Sequence, residues 1–206
     1  MSESFSIDDG KFLISLARKT ILEYLSIKKI PEPPENTPEK LKQETGVFVT
    51  LNKIQNNGEK ALRGCIGYAT PVFPLVQAVI QAAKSAACND PRFPAVSLEE
   101  MEDIVVEVTI LTPPEQIDVK NPEDYLKEIE IGRDGLIIKK GSWNGLLLPQ
   151  VPLEWNWDTE EFLDHTCNKA GLPGGCWKDP KTEVYKFSGV IYQEEKPEGK
   201  VIEGEY

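Results

Sequence analysis

Apolar positions near the start of the chain recur at helical spacing: Phe12, Leu13, Leu16, Ala17, Ile21 and Tyr24 fall on one side of a 3.6-residue repeat. Ser6, with Asp9 three residues later, resembles a capping box and predicts where that helix begins. The run Pro31-Glu-Pro-Pro-Glu-Asn-Thr-Pro38 cannot continue it and predicts an extended connection. The pattern then changes. Val47–Leu51 is β-branched and apolar, and Lys60–Tyr68 follows beyond the turn pair Asn57-Gly58, so the two predict a hairpin. Pro71 and Pro74 open a second helix to about Cys88, whose apolar residues spread around most of its circumference, as in a buried helix.

Beyond the turn-rich loop Asn89-Asp-Pro-Arg-Phe-Pro94, Ile104–Leu111 is the clearest strand in the chain and stops at Pro113-Pro114. A short helix is predicted between Pro122 and Glu128, and Gly135–Lys139 and Gly145–Leu148 read as paired strands. Asp158, with Glu161 three residues on, starts the last helix, which Gly171 and Pro173 close. Glu183–Tyr192 reads as a final strand, and the charged tail over 194–206 is expected to fray. Strands joined by hairpins and interleaved with helices predict an α/β (α+β) fold with a mixed main sheet flanked by helices.

Composition narrows the function classes. The 206 residues are 40% hydrophobic, enough for a real core, and carry a formal net charge of -11. So acidic a surface repels phosphate backbones and argues against broad nucleic-acid binding. No apolar stretch approaches the roughly 20 residues needed to cross a bilayer, so no membrane partner is expected. The first residues, Met1-Ser-Glu-Ser-Phe-Ser-Ile-Asp-Asp9, show no basic segment followed by an apolar run, which points away from a secretory signal and toward the cytoplasm. Cys65, Cys88, Cys167 and Cys176 form no Cys-x-x-Cys pair, and His165 is the single histidine, so neither a metal nor a cofactor is expected. Gly-Leu-Pro-Gly-Gly could turn the chain back and let Cys167 meet Cys176, but free thiols are the expectation in a reducing cytosol.

The segment that stands out is Leu62-Arg-Gly-Cys-Ile-Gly67. Glycine weakens a strand unless a bulge or a close backbone approach requires it. Arg63 and Cys65, at i and i+2 on a regular strand, share a face, where the guanidinium could lower the thiol pKa and hold an anion. The plainer reading is a small buried cysteine and an arginine paired with a carboxylate, and on spacing alone it is favoured. Glu107 sits on the face of its strand with Val105, Thr109 and Leu111; if buried it needs a partner, for which Arg63 is available. His165 falls on a flank of its helix, either as a surface histidine or as a base for Cys65. Asp90, before Pro91, reads as a turn former. Trp143, Trp155, Trp157 and Trp177 offer a stacking patch, although packing of a lobe on the core is the expectation.

Leu62–Gly67 also resembles the signature of the AMMECR-one domain family. Further stretches are similar to that family in the expected order: Ser85-Ala-Ala with Asp90-Pro-Arg-Phe93, Glu107-Val-Thr-Ile-Leu-Thr-Pro-Pro114, Gly145-Leu-Leu-Leu-Pro-Gln-Val151, and the block from Trp157 to Pro173. The resemblance implies one such domain over residues 1–206, of the single-domain prokaryotic kind, with a main sheet flanked by helices and a smaller β lobe around residues 118–150. It defines no reaction. It implies MEMO-like and radical-SAM proteins as partners, with which prokaryotic members are associated. Arg63 and Cys65 carry over as candidate site residues, with Gly64 and Gly67 beside the substrate. Two functions follow: a cysteine-centred enzyme or enzyme component acting on an unidentified small molecule, with Arg63 holding an anion and Glu107 or His165 assisting, or a non-catalytic module that binds a protein or ligand around Arg63–Gly67.

Overall fold

A computed structural model describes residues 5–204. Met1–Ser4, on which part of the reading of the N-terminus rests, and the last two residues of the tail lie outside them. The described chain forms two compact units, one over residues 5–111 and 190–204 and the other over 112–189.

The first unit begins with α1 (Ile7–Ile27), capped as the sequence predicts: the Ser6 side chain accepts from the Asp9 backbone, and the Asp9 carboxylate accepts from Ser6 N. Its sheet has the order β2-β1-β3-β8-β9, with β1 (Val47–Ile54), β2 (Lys60–Tyr68), β3 (Ile104–Leu111), β8 (Gly189–Glu194) and β9 (Val201–Gly204). The pairs β1–β2, β1–β3 and β8–β9 are antiparallel. One face carries Val47, Val49 and Leu51 of β1 and Val106, Val108 and Ile110 of β3, all fully buried in a core shared with α1 and α2 (Leu75–Cys88). Beneath α1, the buried Arg18 guanidinium donates to both Glu194 carboxylate oxygens and to the Met101 and Ile104 carbonyls. Removing either partner would strand a buried charge.

The alternate positions of these strands point to the other face. There Phe48 and Thr50 of β1, Glu107 and Thr109 of β3 and Cys65 of β2 are half-buried. This face holds the residues of chemical interest.

The second unit has a sheet of order β4-β7-β5-β6, built from β4 (Glu115–Gln116), β5 (Gly135–Lys140), β6 (Trp143–Leu147) and β7 (Glu183–Phe187). Short helices α3 (Tyr125–Glu128) and α4 (Val151–Trp155) and the longer α5 (Thr159–Lys169) accompany it. Its core gathers Leu136, Ile138, Phe162, Leu163, Val184 and Trp177.

Three features depart from the sequence reading. The single strand expected over Glu183–Tyr192 is two, because the chain leaves one sheet at Phe187 and enters the other at Gly189. The tail expected to fray instead supplies β9, where Val201 and Ile202 give it apolar side chains and a pairing register with Glu194 and Gln193. The second unit also reaches well past 118–150, since α5 and β7 complete its core.

Candidate functional site

β2 is an edge strand, and its exposed backbone at Cys65 is covered by the loop that follows α2. Cys65 N donates to Asp90 Oδ2 at 2.9 Å, and Arg92 Nη2 donates to the Cys65 carbonyl at 3.4 Å. Arg92 also grips the Asp90 carboxylate from its own backbone N, Nε and Nη2. These bonds, the side-chain bond from Arg92 foremost, hold the buried Asp90 carboxyl far below the usual carboxylate range. Asp90 is thus more than a turn former: it is the polar cap of the strand edge that carries the cysteine.

With the N–H and C=O of Cys65 turned outward, Cys65 and its partner Thr50 form a non-hydrogen-bonded cross-strand pair, the kind in which side chains approach most closely. Thr50 Oγ1 donates to Cys65 Sγ at 3.2 Å. Thr50 is also the register partner of Glu107 on β3, and its hydroxyl opposes the rise that burial imposes on that carboxyl's pKa. Cys65, Thr50 and Glu107 therefore form one transverse row across three adjacent strands.

Burial dominates the electrostatics of both ends of the row. It pushes the Cys65 thiol up; the Thr50 hydroxyl and the Arg92 charge oppose this, and the charges of Glu107 and Asp90 add to it. The Glu107 carboxyl is likewise raised by burial, with Lys60 and Thr50 pulling the other way. The site thus pairs a protonated thiol with a carboxyl whose pKa is displaced upward, toward the range where general bases work.

Arg63 goes elsewhere. The β1–β2 register slips between Leu51, opposite Gly64, and Asn52, opposite Leu62, so Arg63 is the extra residue of a β-bulge. Its guanidinium donates to both Glu100 oxygens, at 3.1 and 3.0 Å, and to the Pro94 carbonyl at 2.9 Å, and it lies over the Phe93 ring. The Arg63 bonds bring the Glu100 carboxyl down to about 2. The carboxylate partner of Arg63 is therefore Glu100 and not Glu107, and the cation that acts on Cys65 is Arg92. The i, i+2 relation expected of a regular strand fails because of the bulge.

The two glycines have separate steric reasons. A Cβ at Gly64 would lie 2.2 Å from the Ala86 carbonyl oxygen, so this position lets α2 pack directly on β2. A Cβ at Gly67 would meet the Val47 carbonyl at 2.2 Å and the Phe48 ring at 2.5 Å. His165 belongs to the second unit, exposed on α5, with its ring stacked on Trp157 at a centroid distance of 3.8 Å. It is no member of the row in the first unit. Cys167 and Cys176 form a disulfide, contrary to the free thiols expected, because the Leu172–Gly175 turn returns the chain beneath the end of α5. Cys65 and Cys88 remain free.

The segments that build this arrangement, Leu62–Gly67, Asp90–Phe93 and the strand containing Glu107, are those that carried the family resemblance, and a family model described as AMMECR1 matches residues 14–192. The chain belongs to the AMMECR1 family. It is 56% identical over 199 residues to Protein PH0010 of Pyrococcus horikoshii, covering 96% of each chain. It is 50% identical over 198 residues to Protein MJ0810 of Methanocaldococcus jannaschii, again covering 96% of each. The crystal structure of the uncharacterised PH0010 superposes with a TM-score of 0.80 at 54% identity, covering 96% of this chain and 97% of that one. In this AMMECR1 chain, Thr50, Arg92 and Glu100 are the site residues that the sequence did not single out. The signal that could have found Thr50 is register: a hairpin closed at Asn57-Gly58 places the middle of β1 opposite Cys65. Among the described residues no cluster of histidine, cysteine or carboxylate side chains could hold a metal ion, and no helix is long and apolar enough to cross a membrane.

Proposed function

We propose that the face of the first sheet is a thiol site in which Glu107 draws the proton from Cys65 through the Thr50 hydroxyl. The observation that carries this reading is the row Cys65–Thr50–Glu107, with Thr50 Oγ1 3.2 Å from Sγ. In the productive arrangement the Cys65 S–H proton passes to Thr50 Oγ1 as the threonine's own proton passes to a Glu107 carboxylate oxygen. The thiolate then attacks an electrophilic carbon of a small substrate, and the electron pair displaced from that carbon takes back the proton from Glu107. Burial keeps the thiol protonated at rest and makes the Glu107 carboxylate a stronger base, so the nucleophile is exposed only when the proton is relayed. On this reading Arg63 and Glu100 position the bulge, and Gly64 and Gly67 fix the strand against its neighbours. Action as one component beside MEMO-like and radical-SAM proteins belongs to the same proposal and rests on the family resemblance alone.

The non-catalytic alternative has less support, because the backbone of the motif at Cys65, which a docking peptide would use, is already bonded to Asp90 and Arg92. The test is the alkylation rate of Cys65 in Glu107→Gln at neutral pH. A proton acceptor lost slows the reaction; a repelling charge lost speeds it.

A further inference from the structure

The second unit displays a ladder of three parallel rings outside its core. α4 ends at Trp155, and Asn156 adopts a left-handed conformation with φ 53°, which asparagine tolerates better than most residues. The chain doubles back so that Trp157 N donates to the Pro152 carbonyl at 2.9 Å. The Trp155 and Trp157 rings are thereby stacked, with centroids 6.2 Å apart and planes 18° from parallel. Trp157 continues the stack onto His165 of α5, 11° from parallel. The middle ring is half-buried against the core of the unit, and the outer ring of Trp155 is 68% exposed.

The surroundings select the occupant. Residues 151–165 include Glu154, Asp158, Glu160, Glu161 and Asp164 and contain no lysine or arginine. Lys178 answers one of these charges through Glu160, and Asp164 is held by Gly175 N and Trp177 Nε1. Lys169 follows His165 by one turn on α5, and the five carboxylates still outnumber these two lysines. That negative excess turns away nucleic acid, although a base could stack there, and a second copy of this chain with its net charge of -11 is repelled as well. An indole face in a negative field is a receptor for a flat cation, and the guanidinium both stacks on such a face and matches carboxylates at its rim.

We infer that the Trp155–Trp157–His165 ladder is a docking surface for an arginine side chain of a basic polypeptide partner. The surface is independent of the thiol site and stands or falls separately from it. The test is calorimetric titration of the intact protein with a peptide of alternating arginine and glycine, with lysine and single-stranded DNA counterparts in parallel at physiological salt. Trp155→Ala removes the open ring and leaves every charge in place, and its exposure leads us to expect an unchanged melting temperature. The expected result is that the arginine peptide binds more tightly than the lysine peptide and loses about tenfold in affinity on Trp155→Ala. Equal affinity of both peptides, equal affinity of wild type and variant, absence of binding, or tighter binding of the DNA would each overturn the proposal.

Discussion

Thr50 and Cys65 face each other across the β1–β2 pair, and the threonine hydroxyl lies 3.2 Å from the cysteine sulfur. This contact follows from strand register. With the N–H and C=O of Cys65 turned outward, toward Asp90 and Arg92, the two side chains meet at the narrow kind of cross-strand pair. The same register places Glu107 on the far side of Thr50. Strand register lines up the three side chains, and the loop bonds at the sheet edge satisfy the backbone groups that this register turns outward.

Glu107 gives the stability of the protein a pH dependence of definite sign. Burial raises its folded-state pKa above that of the unfolded chain. Between the two values the native state holds a proton that the unfolded chain has released, so stability falls as pH rises through that window. Glu107→Gln removes this contribution. The variant should melt higher than wild type above the window, and the two should converge as pH falls toward about 4, where the unfolded carboxyl is also protonated. A variant that melts lower than wild type as pH rises would mean that the ionised carboxylate stabilises the fold.

Gly64→Ala tests the close approach of α2 to β2. The added methyl would sit 2.2 Å from a backbone carbonyl, which no side-chain rotation can relieve. A loss of about 3 kcal/mol is expected in denaturant unfolding, at the upper end of overpacking effects. A loss below about 1 kcal/mol would show that the helix is free to shift.

The Cys167–Cys176 bond closes a loop of 9 residues in sequence separation, from the end of α5 to the turn that carries Trp177. Chain-entropy arguments assign such a loop about 2–3 kcal/mol. Reduction, or replacement of both cysteines by alanine, should lower the stability of the second unit by that amount while leaving the alkylation of Cys65 unchanged. Equal denaturation midpoints for the oxidised and reduced protein would rule out a stabilising role.

Much of the fold was legible because local signals agreed with packing. The Ser6–Asp9 box, the Asn57-Gly58 hairpin, the helix after Pro74 and the Asp158–Glu161 box each describe a structure held by neighbours in sequence. What escaped depended on distant partners. A period-2 pattern carries no mark of the point where Ser188 passes from one sheet to the other. The chemical site divides in the same way. Cys65 and Glu107 could be chosen as unusual residues on strands, but the bulge at Arg63 and the capture of that arginine by Glu100 arise from a register slip and a loop 37 residues away. The disulfide lies beyond the sequence signal because a reducing compartment favours free thiols, whereas it is the folded turn that brings the two sulfurs together.

If Glu107 accepts the Cys65 proton through Thr50, the reactivity of the thiol depends on the ionisation of the carboxyl. The most direct measurement is the pH dependence of Cys65 alkylation by iodoacetamide in a Cys88→Ala background, with and without Glu107→Gln, under conditions that keep the Cys167–Cys176 bond intact. The relay predicts that the wild-type rate begins to rise as Glu107 ionises, well below the titration of the thiol itself, and that Glu107→Gln lowers the neutral-pH rate by at least about tenfold. If Glu107→Gln reacts as fast as wild type or faster, the carboxylate only repels the thiolate, and the account of the site is wrong.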